Sequence, residues 1–210
     1  MYFNHKPYIL SALSKNHITW QVDTDEKVLF LTFDDGPIPE ITPLVVKILE
    51  NYDAKASFFM VGENALKNSV EFELVKNAGH TIGNHTFNHL NSWNTSLPDY
   101  KKNIEKADEI LQTPFFRPPY GKIRMRNLTF LKKDYKVIMW SVLSGDFDQN
   151  CSPQYCFKKV EQYTKSGSII VMHDSLKAKN NMLYCLEKTL EKYSGLGYKF
   201  LGLNDHFQLY

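Results

Sequence analysis

Short β-rich runs alternate with stretches of helical period almost to the end of the chain. The runs are VLFLTF (28–33), ASFFMV (56–61), HTIGN (80–84), FFR (115–117), VIMWSV (137–142), SIIVM (168–172) and KFLGL (199–203). Most are continuously apolar instead of alternating, which predicts strands covered on both faces, as in a parallel sheet. Between them, Ile41, Leu44, Val45, Ile48, Leu49 and Tyr52 form one helical stripe. Further helices are predicted over 63–77, 98–112, 124–135, 152–164 and 182–194. Pro98 suits a first turn, Ser152 can cap with Pro153 at the first helical position, and Gly195 and Gly197 stop the last helix. A β/α series of this kind implies parallel strands joined by right-handed crossovers. An open doubly wound sheet and an incomplete barrel both satisfy it. There is no internal repeat or linker, so residues 28–210 read as one domain, with 1–27 a lead-in packed on it.

Composition narrows the function classes. In 210 residues, 43% hydrophobic and 14% aromatic, there is enough apolar surface for a substantial core. A net charge of +2 with no basic stripe gives no reason to expect nucleic acid. Cys151, Cys156 and Cys185 are odd in number and form no CxxC, so reduced structural thiols are expected. No apolar run approaches the roughly 18 residues of a membrane helix. The segment before residue 18 has only the short YILSAL patch and no secretory h-region, which points to the cytoplasm. A monomer is expected.

The unusual polar residues fall at strand ends. Asp34 and Asp35 follow the first strand, His85 and His89 the third, RPPYG (117–121) the fourth and SGDFD, with Asp146, the fifth, while His173 ends the sixth. In parallel β/α folds these ends share one rim, so five clusters of reactive groups converge there. An Asp-Gly pair alone reads as a turn. His85 and His89, at i and i+4, would lie on one side of a helical turn. Two histidines and a carboxylate with open positions form a recurrent catalytic zinc arrangement. A cation would also relieve the repulsion between Asp34 and Asp35.

TFDDGP, HTFNH, RPPYG, SGDF and IIVMHD, in this order, resemble the five motifs of the polysaccharide deacetylases, carbohydrate esterase family four or NodB-homology domains, over about residues 28–175. The resemblance implies a distorted, incomplete (β/α) barrel of about seven strands, and a hydrolase that removes N-acetyl groups from an N-acetylated glycan. It makes Asp34 the general base, and Asp35, His85 and His89 the ligands of a divalent metal, zinc first, with cobalt, nickel or iron also suited. Arg117 would pair with Asp34, Tyr120 would offer its backbone N–H to the oxyanion, and His173 would be the general acid, oriented by Asp146. Pro118, Phe147 and Val171 would border the substrate. The chemistry agrees: amide hydrolysis needs an activated water, a stabilised oxyanion and a proton for the leaving amine.

The sequence departs from the family pattern in its fourth motif, where Leu143 replaces a carboxylate and Phe147 an indole. Both bear on groove shape and substrate identity. Asp148 competes with Asp146, which register favours, and Asp174 reads as a turn or cap. His5, His17, His80 and His206 read as structural, and Trp20, Trp93 and Trp140 as packing residues, with Trp93 also placed to line a sugar groove. The same site could serve O-acetyl esters or a non-sugar amide. An inactive barrel retained for carbohydrate binding is the alternative of another class, and the presence of Asp34 and His173 weighs against it.

Overall fold

The computed structural model describes residues 18–207. The YILSAL patch, His5 and His17 lie outside them. In chain order the elements are β1 (Ile18–Thr19), β2 (Val28–Asp34), α1 (Thr42–Glu50), β3 (Ala56–Met60), α2 (Gly62–Lys67), α3 (Ser69–Asn77), β4 (Thr81–Asn84), α4 (Leu97–Leu111) and β5 (Phe115–Phe116). A 3₁₀ turn (Pro119–Gly121) leads to α5 (Met125–Asp134), β6 (Lys136–Ile138), β7 (Val142–Leu143), α6 (Pro153–Tyr163), β8 (Ile169–His173), α7 (Lys179–Gly195), β9 (Lys199–Phe200) and α8 (Leu203–Phe207). The strands run in the order β1-β6-β5-β4-β3-β2-β8-β7, with β9 beside the start of β2. Every strand pair is parallel, and the sheet curls into an incomplete barrel.

The two-residue period of β2 organises the interior. Leu29, Leu31 and Phe33 face the outer core, where Val45 and Leu49 of α1 and Met182, Leu186 and Leu190 of α7 cover the sheet. Each such side chain, fully buried, contributes about 1.5–3 kcal/mol. Val28 and Phe30 face inward, joining Phe59, Phe115, Ile138 and Ile169 at the barrel floor. Thr32 and Asp34 continue that inward row, so the interior changes from apolar to polar towards the C-terminal rim.

Two predicted elements break. The helix over 63–77 divides at Asn68 (φ −116°, ψ 55°), whose side-chain amide donates to the Pro37 carbonyl at 2.9 Å. The run 137–142 is not one strand. Its first half pairs with β5 and β1, its second with β8, and residues 139–141 bend between the two edges of the sheet. This bend is the seam of the barrel, held by Met139 N–H to the Thr19 carbonyl (2.8 Å) and Ser141 N–H to Ile169 (3.0 Å). Upstream of residue 28, β1 adds an edge strand to the sheet, and α8 follows the last strand; neither is signalled by the apolar pattern. Ser152 caps α6 by accepting the Tyr155 N–H, and Cys151, Cys156 and Cys185 are not joined in disulfides.

Candidate active site

The rim collects the motif residues as the strand ends require. Asp34 is the last residue of β2 and lies beside His173, the last of β8, in the parallel register. Its neighbour Asp35 has left the strand for a left-handed conformation (φ 86°), so the two adjacent carboxylates diverge. Asp34 Oδ1 accepts from Arg117 Nη1 at 2.7 Å, and its Oδ2 lies 4.0 Å from His85 Nε2. Asp35 Oδ1 is 3.2 Å from His89 Nε2 and 4.0 Å from His85 Nε2.

The histidine motif is a loop, not the expected helical turn. Thr86 (φ 67°) and His89 (φ 59°) are both left-handed, which no continuing α-helix allows. The loop is stapled instead: Thr86 N–H donates to Asn84 Oδ1 (2.8 Å), Phe87 N–H to Asn103 Oδ1 (2.9 Å) and Leu90 N–H to Thr86 Oγ1 (3.0 Å). Both imidazoles still reach one point.

Asp35, His85 and His89 present donor atoms within 4.8 Å of one another. Whether this set suits a divalent metal is decided by the groups behind it. His85 Nδ1 lies 2.8 Å from the Arg117 carbonyl, which can only accept, so Nδ1 carries the hydrogen and the Nε2 lone pair faces Asp35. Burial holds His85 down at about 4, against Asp34, so it is neutral at neutral pH, as a ligand must be. Tyr120 Oη holds His89 Nδ1 at 3.1 Å and leaves Nε2 towards the carboxylate. Burial would raise the Asp35 carboxyl, but the hydrogen bond from His89 and the nearby histidines hold it well below the usual carboxylate range. The donor set fits a metal with two nitrogens and an oxygen.

Arg117 is fully buried, and each nitrogen of its guanidinium has a partner. Nε donates to the Ile138 carbonyl (3.2 Å), Nη2 to Met139 (3.0 Å), and Nη1 to Thr32 Oγ1 (2.8 Å) as well as to Asp34. The two carbonyls belong to the seam. The flat face of the group lies 4.0 Å from the centre of the Phe59 ring, and Gly83 makes room for that ring: a Cβ there would meet Phe59 Cδ1 at 2.4 Å.

Opposite, Asp146 grips His173 twice: Oδ2 accepts its N–H at 2.7 Å and Oδ1 meets Nδ1 at 2.8 Å. Burial lowers the His173 pKa, but Asp146, with Asp35 and Asp34 behind it, raises it to about 9. Asp146 is thus the partner that register favoured over Asp148. Phe147 stands edge-on to His173 at 5.0 Å. Tyr120 is left-handed (φ 61°) and largely exposed, and Pro118 is buried beneath it. Val171 shares the inner face with His173 but is 1% exposed, so it forms floor below the site instead of lining the groove. The groove itself, about 340 Å³, is walled by Asp35, Val61, Glu63, Asn64, His89 and Lys177, among others.

Several participants had no motif to announce them. Thr32 bonds Arg117 and, through its own hydrogen, the Ile170 carbonyl (2.9 Å); its place two residues before Asp34 on the inner face is the signal that could have found it. Asn64 Nδ2 donates to the Asp35 carbonyl at 2.8 Å. Asp174, expected as a turn or cap, is instead buried, pushed up by that burial to about 8, and bonded across the molecule to Gly36 and Thr42. His80 accepts the Ala56 N–H at Nδ1 (3.3 Å), the structural role expected of it.

Comparison with known proteins gives the same picture. A family model described as polysaccharide deacetylase matches residues 21–136. A peptidoglycan-N-acetylglucosamine deacetylase of Bacillus cereus is 34% identical over 198 residues, covering 90% of this chain and 92% of the relative. A chitooligosaccharide deacetylase of Azorhizobium caulinodans is 30% identical over 164 residues, 73% of this chain and 77% of the relative. A crystal structure of a peptidoglycan N-acetylglucosamine deacetylase in complex with 4-naphthalen-1-yl-N-oxidanyl-benzamide superposes with a TM-score of 0.89 at 30% identity, covering 98% of both chains. With the motifs on one rim of an incomplete barrel, the chain belongs to the polysaccharide deacetylase family, carbohydrate esterase family four, and is a metal-dependent N-deacetylase of glycans.

Proposed function

We propose that this protein removes the acetyl group from N-acetylglucosamine residues of peptidoglycan, with zinc held by Asp35, His85 and His89. The names of the Bacillus cereus relative and of the structural neighbour support peptidoglycan as the polymer. A wall polymer favours action at the cell wall over the cytoplasmic site that the sequence alone suggests. Among the described residues no helix is long and apolar enough to cross a membrane.

One observation carries the mechanism: a carboxylate beside a metal-type donor set faces an imidazole held by Asp146 across one parallel strand pair. A divalent metal, when bound, lowers the pKa of coordinated water and polarises the acetyl carbonyl. Asp34 has Oδ1 occupied by Arg117, so Oδ2, the oxygen facing His85, takes the proton of the attacking water. The Tyr120 N–H donates to the developing oxyanion, a contact whose loss costs about 3 kcal/mol in comparable sites. His173 has Nδ1 committed to Asp146, which leaves Nε2 to protonate the leaving amine. With a pKa of about 9 it carries that proton at neutral pH. The Phe147 ring packs edge-on against His173, and Pro118, with no N–H and a fixed φ, stiffens the loop that aims Tyr120.

The test is acetate release from N-acetylglucosamine oligomers and purified peptidoglycan by chelator-treated protein, with and without zinc. Asp35→Ala should lose metal and turnover together. Asp34→Asn should keep the metal and lose about 10²–10⁴-fold in turnover. Release from O-acetylated xylan but not from either amide substrate would overturn the proposal in favour of esterase chemistry.

A further inference from the structure

Asp35 must hold its carboxylate towards two histidines from a backbone conformation that a non-glycine residue rarely adopts (φ 86°). Such conformations cost about 1–3 kcal/mol and persist only where the surroundings over-determine them. The surroundings here are largely one residue. The peptide group before the Asp35 Cα is held through the Asp34 carbonyl, which accepts the Asp174 backbone N–H at 3.1 Å. The peptide group after it is held through the Gly36 N–H, which donates to Asp174 Oδ1 at 3.0 Å. Asn64 Nδ2 grips the carbonyl end of that second group at 2.8 Å.

Asp174 is itself fixed. It is 1% exposed, and the Thr42 hydroxyl donates to its Oδ2 at 2.6 Å while accepting the Ile38 N–H at 2.8 Å. The approach to the loop is so close that a Cβ at residue 36 would stand 2.0 Å from Asp174 Oδ2, which requires glycine there. These bonds span 132 and 138 residues of chain, so they are not those of a local turn.

We propose that Asp174 is a positioning residue for metal binding: by holding both peptide groups that flank Asp35, it sets the direction of the Asp35 carboxylate. It does not touch the metal. Because it directly follows His173, the same residue also ties the loop carrying the ligand to the strand end carrying the acid. The inference rests on Asp35 being a metal ligand.

Zinc affinity, measured by competition with a chromophoric chelator on variants with intact cooperative melts, tests it. Losing a group that orients a ligand typically weakens metal binding by about 10–100-fold, and that loss is expected for Asp174→Ala. Asp174→Asn keeps an acceptor for Gly36 and reverses the Thr42 bond, its amide donating to the hydroxyl oxygen, so it should bind within about threefold of the parent. The visible spectrum of the cobalt form should change in the alanine variant and not in the asparagine one. Zinc binding at parental affinity by folded Asp174→Ala overturns the proposal, as does an equal loss in Asp174→Asn. If Asp174→Ala does not fold, Thr42→Val decides: freeing Oδ2 should weaken zinc several-fold, and unchanged affinity refutes the role. Asp35→Ala serves as the control. If it retains zinc, the ligand assignment itself falls; if it loses zinc while Asp174→Ala does not, only the positioning role does.

Discussion

Replacing Asp146 by asparagine removes the largest favourable influence on the His173 proton while keeping the side chain's size. His173 stands at about 9 although burial pushes it down from 6.5, so the carboxylates supply all of the rise and more. That rise favours the charged ring by about 3 kcal/mol. Without Asp146, burial dominates and the pKa should fall to about 6.5 or below. At pH 8 the protonated fraction then drops from about 0.9 to about 0.03, an approximately thirtyfold loss of the acid form. The geometry adds to this, because the His173 N–H and Nδ1–H are accepted by different oxygens and asparagine replaces one of them with an NH2 donor. The assay is kcat/KM for acetate release from N-acetylglucosamine oligomers at saturating zinc, from about pH 5.5 to about pH 10. The parent should lose activity as pH rises through the His173 pKa, and Asp146→Asn should lose it about two units lower or more. An alkaline limb in the same place in both proteins would refute His173 as the acid, or Asp146 as its tuner.

Arg117→Met should cost about 3–5 kcal/mol in chemical denaturation, because it leaves a buried carboxylate and two seam carbonyls without their donor. A loss below about 1 kcal/mol would mean that water replaces the guanidinium. His80 is held down at about 4 by burial and by Lys55, whereas the unfolded chain binds that proton below about 6.5. Its contribution is therefore complete above 6.5 and lost as pH falls towards 4, about 2 kcal/mol between pH 7 and pH 5. His80→Asn should flatten that slope, which denaturation at the two pH values measures. Trp93, 53% exposed, sits on a rigid loop just beyond the histidine motif, fixed by Ser92 bonds to Arg124 and Asn127. Trp93→Ala should raise KM for long oligomers and leave kcat unchanged; equal KM values across oligomer lengths would deny it a place in the groove.

The sheet was legible because continuous apolar runs have few other uses, and the motif residues were legible because each ends such a run. Asp34 and His173 illustrate both: register neighbours in space, each marking where apolarity stops. What stayed hidden depends on geometry that spacing does not encode. The i, i+4 interval of His85 and His89 suits a helix, and only the bonds from Asn84, Asn103 and Thr86 make the loop win. VIMWSV satisfies a strand at every position, and its division between two sheet edges follows from closure of the barrel, a non-local demand. Asp174 was the hardest to read, since a carboxylate after a strand usually meets solvent, and here its partners lie more than a hundred residues away.

The seam gives Arg117 two employers. Its Nη1 serves the base, but Nε and Nη2 complete the backbone where the two sheet edges fail to form a ladder. A descendant of this protein that abandoned hydrolysis would be free to lose Asp34 or His173, yet would still need a guanidinium to keep its wall shut. Arginine in the RPPYG motif therefore testifies to the integrity of the barrel and says little about catalysis. Competence in a related chain is better judged from the residue that ends its first long strand.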